Sequence, residues 1–89
     1  MPWRIELADS VARQLRKLER QTARRLTSYL RERMSGARDP RSLGAALTGD
    51  EPGQFWKYRV GDYRLIAEIR GRELRILIVC LGHRRDVYR

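Results

Sequence analysis

Two glycine-containing dipeptides divide the C-terminal half of the chain into three short runs, and this division constrains the fold more than any other feature. The runs are Phe55 to Val60, Tyr63 to Arg70 and Glu73 to Leu81, separated by Gly61-Asp62 and Gly71-Arg72. Their length and their content of β-branched and aromatic residues are typical of strands, and two-residue loops join antiparallel neighbours. We therefore predict a three-stranded antiparallel meander.

The N-terminal part predicts one strand followed by helices. The segment "WRIEL", Trp3 to Leu7, alternates as a strand does, and Asp9 or Ser10 is the expected N-cap of the helix that follows. No glycine or proline occurs from Val11 to Met34, and two apolar stripes at helical spacing flank the polar segment "ERQTA". This pattern predicts a helical hairpin, with one long bent helix as the alternative.

Residues 35–54 have the composition of a loop, because they contain four of the seven glycines and two of the three prolines. We expect Leu43 and Leu47 to attach this loop to the core. The expected architecture is α+β: a helical hairpin packed on one face of a four-stranded antiparallel sheet. At 89 residues the chain predicts a single domain, 1–89.

If both dipeptides are two-residue loops, the register of the meander follows from them. The first hairpin then pairs Val60 with Tyr63, Arg59 with Arg64, Tyr58 with Leu65, and Lys57 with Ile66. The second pairs Arg70 with Glu73, Ile69 with Leu74, Glu68 with Arg75, and Ala67 with Ile76.

Alternation along the strands then sorts the side chains onto two faces. The face expected to receive the helices is almost wholly apolar and carries Trp56, Tyr58, Tyr63, Leu65, Ala67, Ile69, Leu74, Ile76, Ile78 and Cys80. The other face carries Lys57, Arg59, Arg64, Ile66, Glu68, Arg75, Leu77, Val79 and Leu81. This second face is an apolar floor with cations at one end.

Three cations are predicted to meet on that second face. Arg59 and Arg64 are directly opposed, an arrangement that destabilises a sheet, and Lys57 lies two residues away. The segment "GHRRDVYR" follows the last strand, whose end should lie beside Tyr63 and Arg64. Several cations converging beside an aromatic ring are typical of a site for a phosphate and a base.

The bulk properties agree with an anionic partner but do not identify it. The net charge of +9 and the pI of about 11.0 leave RNA, DNA and an acidic protein open. Cys80 is the one cysteine, which excludes an internal disulfide and a multi-cysteine zinc site. The longest apolar run, Ile76 to Leu81, has the length of a strand, and the N-terminus lacks the layout of a signal peptide. We expect a cytoplasmic protein without a membrane partner.

The cationic cluster suits one reaction in particular. The sequence contains no evident carboxylate pair, metal-ligand set or Ser-His-Asp arrangement, and His83 is the only histidine. In RNA cleavage the ribose 2′-OH is the nucleophile, so the protein has only to orient the backbone, stabilise the phosphorane and move two protons. We expect this chemistry to need no metal or cofactor.

Three segments resemble the RelE/ParE toxin superfamily, and its RelE branch in particular: "RKLERQTARRLTSYL", "RSLGAALTGDEPGQFWKYRVGDYRLIAEI" and "VCLGHRRDVY". The resemblance implies two helices against a four-stranded antiparallel sheet. It also implies the toxin of a type II toxin–antitoxin pair that cleaves mRNA in the ribosomal A site. A RelB-like antitoxin would be its partner, and the antitoxin would carry the complex to operator DNA.

The resemblance implies a role for each site residue. Lys57 matches the first strand lysine of the family. Arg59 stands where a second lysine often acts as a general base or stabilises the transition state, and Arg64 matches the arginine that holds the scissile phosphate. Arg84 matches the arginine that assists the transition state or the leaving group. Tyr88 matches the terminal tyrosine that stacks on the mRNA base.

His83 and Arg85 are secondary candidates. Arginine is a poor proton acceptor, so a base other than Arg59 is required, and Tyr88, His83 and Lys57 are the candidates.

Two other functions are open at this stage. A ParE-like toxin would use the same scaffold to bind and poison DNA gyrase without cleaving nucleic acid. A basic domain that binds RNA or ribosomes without cleaving them would show salt-sensitive affinity and no 2′,3′-cyclic phosphate product.

Overall fold

A computed structural model describes residues 3–47 and 55–83. Strand β1 (Arg4–Leu7) leads into helix α1 (Asp9–Lys17), and helix α2 (Arg20–Ser28) continues as a π-helical turn over Tyr29–Met34. After a 3-10 turn at Pro40–Leu43 come the strands β2 (Ala45–Ala46), β3 (Phe55–Val60), β4 (Tyr63–Arg70) and β5 (Arg75–His83). A second 3-10 turn, Gly71–Glu73, joins β4 to β5.

The α+β prediction is confirmed, but the prediction of a four-stranded antiparallel sheet is wrong in two respects. Within the described residues the sheet has five strands in the order β1-β5-β4-β3-β2, and β1 runs parallel to β5 while the other pairs are antiparallel. Strand β2 was missed because two alanines carry no alternation signal within a glycine-rich loop. Its pairing with β3 is extended by the Leu47 N–H, which donates to the Phe55 carbonyl at 3.0 Å.

The helical hairpin is confirmed, but the predicted N-cap is wrong. The chain passes from β1 into α1 through Ala8, whose N–H donates to the Ile78 carbonyl and whose carbonyl accepts from Ala12. Because Ala8 is held at the sheet, the helix begins at Asp9 without a side-chain cap. The break between the helices lies at Leu18 and Glu19, where the backbone is extended, so most of the segment "ERQTA" is helical.

The register of the first hairpin is confirmed for all four predicted pairs. Gly61 has φ +61° and is the one residue of its loop with positive φ, as in a type II′ turn, which requires glycine at that position.

The predicted register of the second hairpin is wrong by two residues, since Arg70 pairs with Arg75 instead of Glu73. The reason is a wider turn that ends at Leu74, which has φ +52°. The side chain of Leu74 packs against the core, and this burial offsets a backbone strain of roughly 1–3 kcal/mol.

A bulge in β5 changes the predicted faces at one end of that strand. The register shifts between Ile66 and Ala67, so Cys80 pairs with Ile66 while Leu81 pairs with Leu65. Leu81 is therefore buried in the core and Cys80 lies on the opposite face, the reverse of the prediction. Leu81 is also lost from the apolar floor.

The remaining core residues lie where they were expected. Tyr58, Leu65, Ala67, Ile69, Ile76 and Ile78 are buried against the helical residues Val11, Leu26, Leu30 and Met34. Leu43 packs on this cluster as predicted, whereas Leu47 is half-buried outside it.

Candidate functional site

The structure brings together three of the predicted site residues, Lys57, Arg59 and Arg64, towards the turn end of the β3–β4 hairpin. They line an open cleft of about 410 Å³, here called the hairpin cleft, whose wall consists of Leu43, Gly44, Ala45, Lys57, Tyr58, Arg59 and Arg64. Arg59 is directly opposite Arg64, and Lys57 is opposite Ile66 on one side and Ala45 on the other. Alternation along β3 and β4 keeps these cations away from the helix-covered face.

The sheet contains a second pair of directly opposed arginines, Arg70 and Arg75, which provides an internal comparison. That pair is neutralised by carboxylates. Arg75 Nη2 and Nη1 lie 2.6 Å and 2.7 Å from the carboxylates of Glu6 and Glu73, and Arg70 Nη2 lies 3.3 Å from Glu68. The hydrogen bond from Arg75 holds the pKa of Glu6 below its usual range.

The Arg59–Arg64 pair has no such compensation within residues 3–47 and 55–83. The ion pairs of that part of the chain join Arg41 to Asp39, Arg70 to Glu68, and Arg75 to Glu6 and Glu73. Arg64 makes one long contact, from Nη1 to the carbonyl oxygen of Tyr63 at 3.5 Å, and Arg59 is exposed. Two adjacent guanidiniums that form no ion pair with a carboxylate of the described ranges make a site that an anion would stabilise.

The loop before β2 forms the outer wall of the hairpin cleft, and sequence reasoning missed this wall. Gly44 lies so close to β3 that an added Cβ would clash with the Lys57 carbonyl oxygen and with the Tyr58 ring. The hydroxyl of Tyr58 is buried and donates to the Pro40 carbonyl at 2.9 Å. Burial raises the pKa of this phenol far above its usual value, so Tyr58 serves as an anchor and not as a proton acceptor. In the sequence, the glycine between Leu43 and Ala45 was the one indication that the loop passes close to another strand here.

The end of β5 lies where it was predicted, beside the start of β4. Gly82 is opposite Arg64, and His83 is opposite Tyr63, with ring centroids 5.6 Å apart at an interplanar angle of 81°. Directly paired residues share a face, so His83 lies on the face of Tyr63 and is not brought into the hairpin cleft. The other predicted site residues, Arg84, Arg85 and Tyr88, lie outside the described residues.

A larger groove of about 540 Å³ lies between the two helices. Its lining includes Leu15 and Leu18 together with four arginines, Arg16, Arg20, Arg24 and Arg31. It shares no residue with the predicted catalytic set. In the described part of the chain, no three histidine, cysteine or carboxylate side chains are grouped as ligands of a metal ion would be. No helix in the described ranges is long and apolar enough to cross a membrane.

The fold and the cleft define a small basic α+β protein in which a twisted sheet, covered by a helical hairpin on one face, exposes cations at the end of its central hairpin. This is the fold of the RelE toxins. Residues 5–88 match the family model described as the ParE toxin of the type II toxin–antitoxin system parDE, and the chain therefore belongs to this family of the RelE/ParE superfamily. It is a toxin of a type II toxin–antitoxin system.

Solved structures with the same fold come from both bacteria and archaea. The RelBE2 toxin–antitoxin complex of Mycobacterium tuberculosis aligns with a TM-score of 0.82 at 23% identity, over 97% of this chain and 95% of that one. The archaeal RelE–RelB complex of Pyrococcus horikoshii aligns with a TM-score of 0.75 at 24% identity, over 98% and 100% of the two chains.

The isolated RelE toxin of E. coli aligns with a TM-score of 0.69 at 17% identity, over 91% and 83% of the two chains. At these identities the likeness concerns the fold. No curated protein matches the sequence significantly.

Proposed function

We propose that this toxin is an endoribonuclease of RelE type, which cleaves mRNA in the ribosomal A site and so inhibits translation. The observation that carries the proposal is the contrast between the two arginine pairs. Arg70 and Arg75 are neutralised by carboxylates, whereas Arg59 and Arg64 line an open cleft with Lys57 and without a carboxylate partner in the described ranges. Two opposed arginines destabilise the sheet when no anion is bound, and they bind favourably to a phosphodiester placed between them.

The proposed reaction uses the RNA's own nucleophile. The ribose 2′-oxygen loses its proton and forms a bond to phosphorus, the bond from phosphorus to the 5′-oxygen breaks, and that oxygen takes up a proton. The products are a 2′,3′-cyclic phosphate and a 5′-hydroxyl. Arg64 would hold the non-bridging oxygens, and Arg59 would stabilise the charge that develops on the phosphorane.

The general base is a separate assignment. Arginine is a poor proton acceptor in proteins, so Arg59 is not assigned the removal of the 2′-OH proton. Of the three candidates for this role, Lys57 lies in the hairpin cleft, His83 lies on the face of Tyr63, and Tyr88 is outside the described residues. The geometry favours Lys57 over His83. Arg84 and Tyr88 remain proposed members of the site, which assist the leaving group and stack on the base, and Arg85 remains a secondary candidate.

The test is cleavage of mRNA on purified ribosomes, with the product ends identified chemically. We expect cuts in phase with codons that leave 2′,3′-cyclic phosphates, and no cut where the scissile nucleotide carries a 2′-deoxy substitution. Arg64→Ala should reduce the rate about 10²–10³-fold, the usual effect of losing one electrostatic stabiliser. Arg72→Ala removes an exposed arginine at the other end of the sheet and should leave the rate unchanged.

Growth arrest provides the cellular counterpart of this test. Arg64→Ala, Arg84→Ala and Tyr88→Ala should each relieve the arrest while the protein remains folded. If all three variants stay fully toxic, the assigned site is wrong.

The second candidate function is inhibition of DNA gyrase, and the name of the matching family model favours it. Expressing cells distinguish the two functions: codon-phased mRNA cuts indicate the ribonuclease, and SOS induction with gyrase–DNA adducts indicates the gyrase inhibitor. Intact transcripts and no SOS induction would refute both.

We further propose an antitoxin of RelB type as the physiological partner. The family consists of toxins of toxin–antitoxin systems, and the similar M. tuberculosis and P. horikoshii toxins were solved as complexes with their antitoxins. A gene that abuts or overlaps this one should encode a protein that copurifies with the toxin and abolishes its toxicity.

A further inference from the structure

A second basic cleft adjoins the hairpin cleft on the helical side of the sheet edge. This flanking cleft, of about 400 Å³, is lined by residues of α2 and the following turn, by the end of β3 and by the β3–β4 loop, among them Arg25, Tyr29, Glu32, Arg33, Arg59 and Gly61. Arg59 lines both clefts, so the two clefts meet at this side chain near the tip of the hairpin. None of these residues except Arg59 belongs to the predicted catalytic set.

The edge of β3 is open where the two clefts meet. Strand β2 pairs only with Trp56 and Lys57, so in the described part of the chain no strand pairs with β3 beside Arg59. The Arg25 guanidinium lies against the hairpin loop, since its Nη1 is 3.2 Å from where a Cβ on Gly61 would be. The helix therefore contributes a cation at the loop that closes the β3–β4 hairpin.

The charge of the flanking cleft is positive and unbalanced. Three guanidiniums and the Glu32 carboxylate leave two net positive charges, and the ion pairs of residues 3–47 and 55–83 do not include Arg25, Arg33 or Arg59. Burial raises the pKa of Tyr29, so its phenol stays protonated and adds no negative charge. All three arginines are exposed and accessible to a ligand.

We infer that the flanking cleft is a second phosphodiester subsite, in which Arg25 and Arg33 bind a phosphate of the same single-stranded RNA next to the scissile phosphate in the hairpin cleft. The inference rests on the proposed function for the identity of the chain that is bound. Its consequence is positional: engagement of the neighbouring phosphate limits sliding of the strand and sets the scissile bond between Arg59 and Arg64.

The test measures binding, so it does not depend on cleavage. The probes are oligoribonucleotides of two, three and four nucleotides with a 2′-deoxy substitution at the cleavable position, titrated with the purified toxin at low salt. Addition of the flanking phosphodiester should tighten binding about tenfold, the usual order for a charge-assisted contact. A neutral methylphosphonate at that one position should remove the gain.

Matched variants locate the effect. Arg25→Gln/Arg33→Gln should lose the gain from the flanking phosphate, and the slope of log affinity against log salt should fall by about 0.7 for each phosphate contact removed. Arg13→Gln/Arg72→Gln changes the net charge by the same amount at exposed positions elsewhere. This control variant should keep both the gain from the flanking phosphate and the wild-type salt slope. Arg25→Lys/Arg33→Lys should restore most of the gain, and Glu32→Gln should increase it several-fold by removing the one carboxylate.

Each alternative outcome has a definite meaning. If the wild-type protein shows no gain from the flanking phosphate, including no measurable binding, or if the Arg13/Arg72 control loses as much as the test variant, the subsite is refuted. If the gain is present and specific but ribosomes charged with mRNA are never cleaved, the subsite stands and the proposed ribonuclease activity fails.

Discussion

The opposed arginines of the hairpin cleft make a prediction about stability that is independent of any activity assay. Replacing Arg59 by glutamine removes one charge of the Arg59–Arg64 pair and keeps most of the aliphatic stem. Directly opposed residues on a sheet have Cβ atoms about 4.5–5.5 Å apart. Two unit charges at about 4 Å repel by about 1 kcal/mol in water, and by less where exposed guanidiniums splay apart. We therefore expect Arg59→Gln to raise the free energy of unfolding by about 0.2–1 kcal/mol.

The second arginine pair is the control for this measurement. Arg70 is also directly opposite an arginine, but it lies 3.3 Å from Glu68, and its partner Arg75 is bound by two carboxylates. Removing the charge of Arg70 removes its attraction to Glu68 as well as its repulsion from Arg75. Arg70→Gln should therefore leave the free energy of unfolding unchanged or lower it slightly.

The assay is denaturation by urea, which is uncharged and leaves the ionic strength unchanged, at low ionic strength and again in 1 M NaCl. The Debye length falls to about 3 Å at 1 M salt, so the gain from Arg59→Gln should shrink towards zero there. The double variant Arg59→Gln/Arg64→Gln should gain little beyond the single one, because the repulsion is already gone. If Arg59→Gln destabilises the protein, or gains the same stability at both salt concentrations, the electrostatic reasoning about this site is refuted.

Three further predictions concern contacts that hold the sheet and its loops together. Gly44→Ala should destabilise the protein by about 1–3 kcal/mol in urea titrations, because the new methyl meets the Lys57 carbonyl oxygen and the Tyr58 ring. Gly71→Ala meets only the far end of the Arg41 side chain, which can shift, and should cost less. Equal costs would contradict this. Tyr58→Phe should cost about 0.5–1.5 kcal/mol by removing the buried hydrogen bond to the Pro40 carbonyl, and an unchanged midpoint would count against that bond. Glu6→Gln should destabilise the protein at pH 7 but not in acid. The Arg75 hydrogen bond lowers the pKa of Glu6 in the folded state. The stability that the Glu6 carboxylate contributes is therefore present above the usual pKa of 4.5 and is lost as the pH falls through the lowered, folded-state pKa. Unfolding curves at both pH values test this, and a pH-independent difference would refute it.

The first hairpin could be predicted from the sequence in full because its turn is chemically specific. Gly61 supplies the positive φ that a two-residue type II′ loop requires, and the register of β3 against β4 follows without further information. Because the site cations lie next to this turn, the convergence of Lys57, Arg59 and Arg64 followed as well. The fold class followed from periodicity, which depends on burial of one face and not on the details of turns.

The errors occur where tertiary packing overrides local chemistry. Gly71-Arg72 has the composition of a two-residue loop, but burial of Leu74 draws two more residues into the turn and shifts the register of β5. The wall of the hairpin cleft was missed for a related reason, since β2 is held by its pairing with β3 and by no pattern of its own. Neither feature has a signature within its own segment.

The bulge in β5 determines which residue of that strand lies beside the site. Without it, the residue opposite Leu65 would be Cys80, and the buried Leu81 would face the floor instead of the core. The extra residue inserts between Ile78 and Cys80, turns Leu81 inward, and lets the strand continue to Gly82 opposite Arg64. A bulge of this kind re-aims side chains and commonly lies beside functional sites. Here it anchors the end of β5 through Leu81 and leaves glycine, with no side chain to crowd the guanidinium, as the cross-strand neighbour of Arg64.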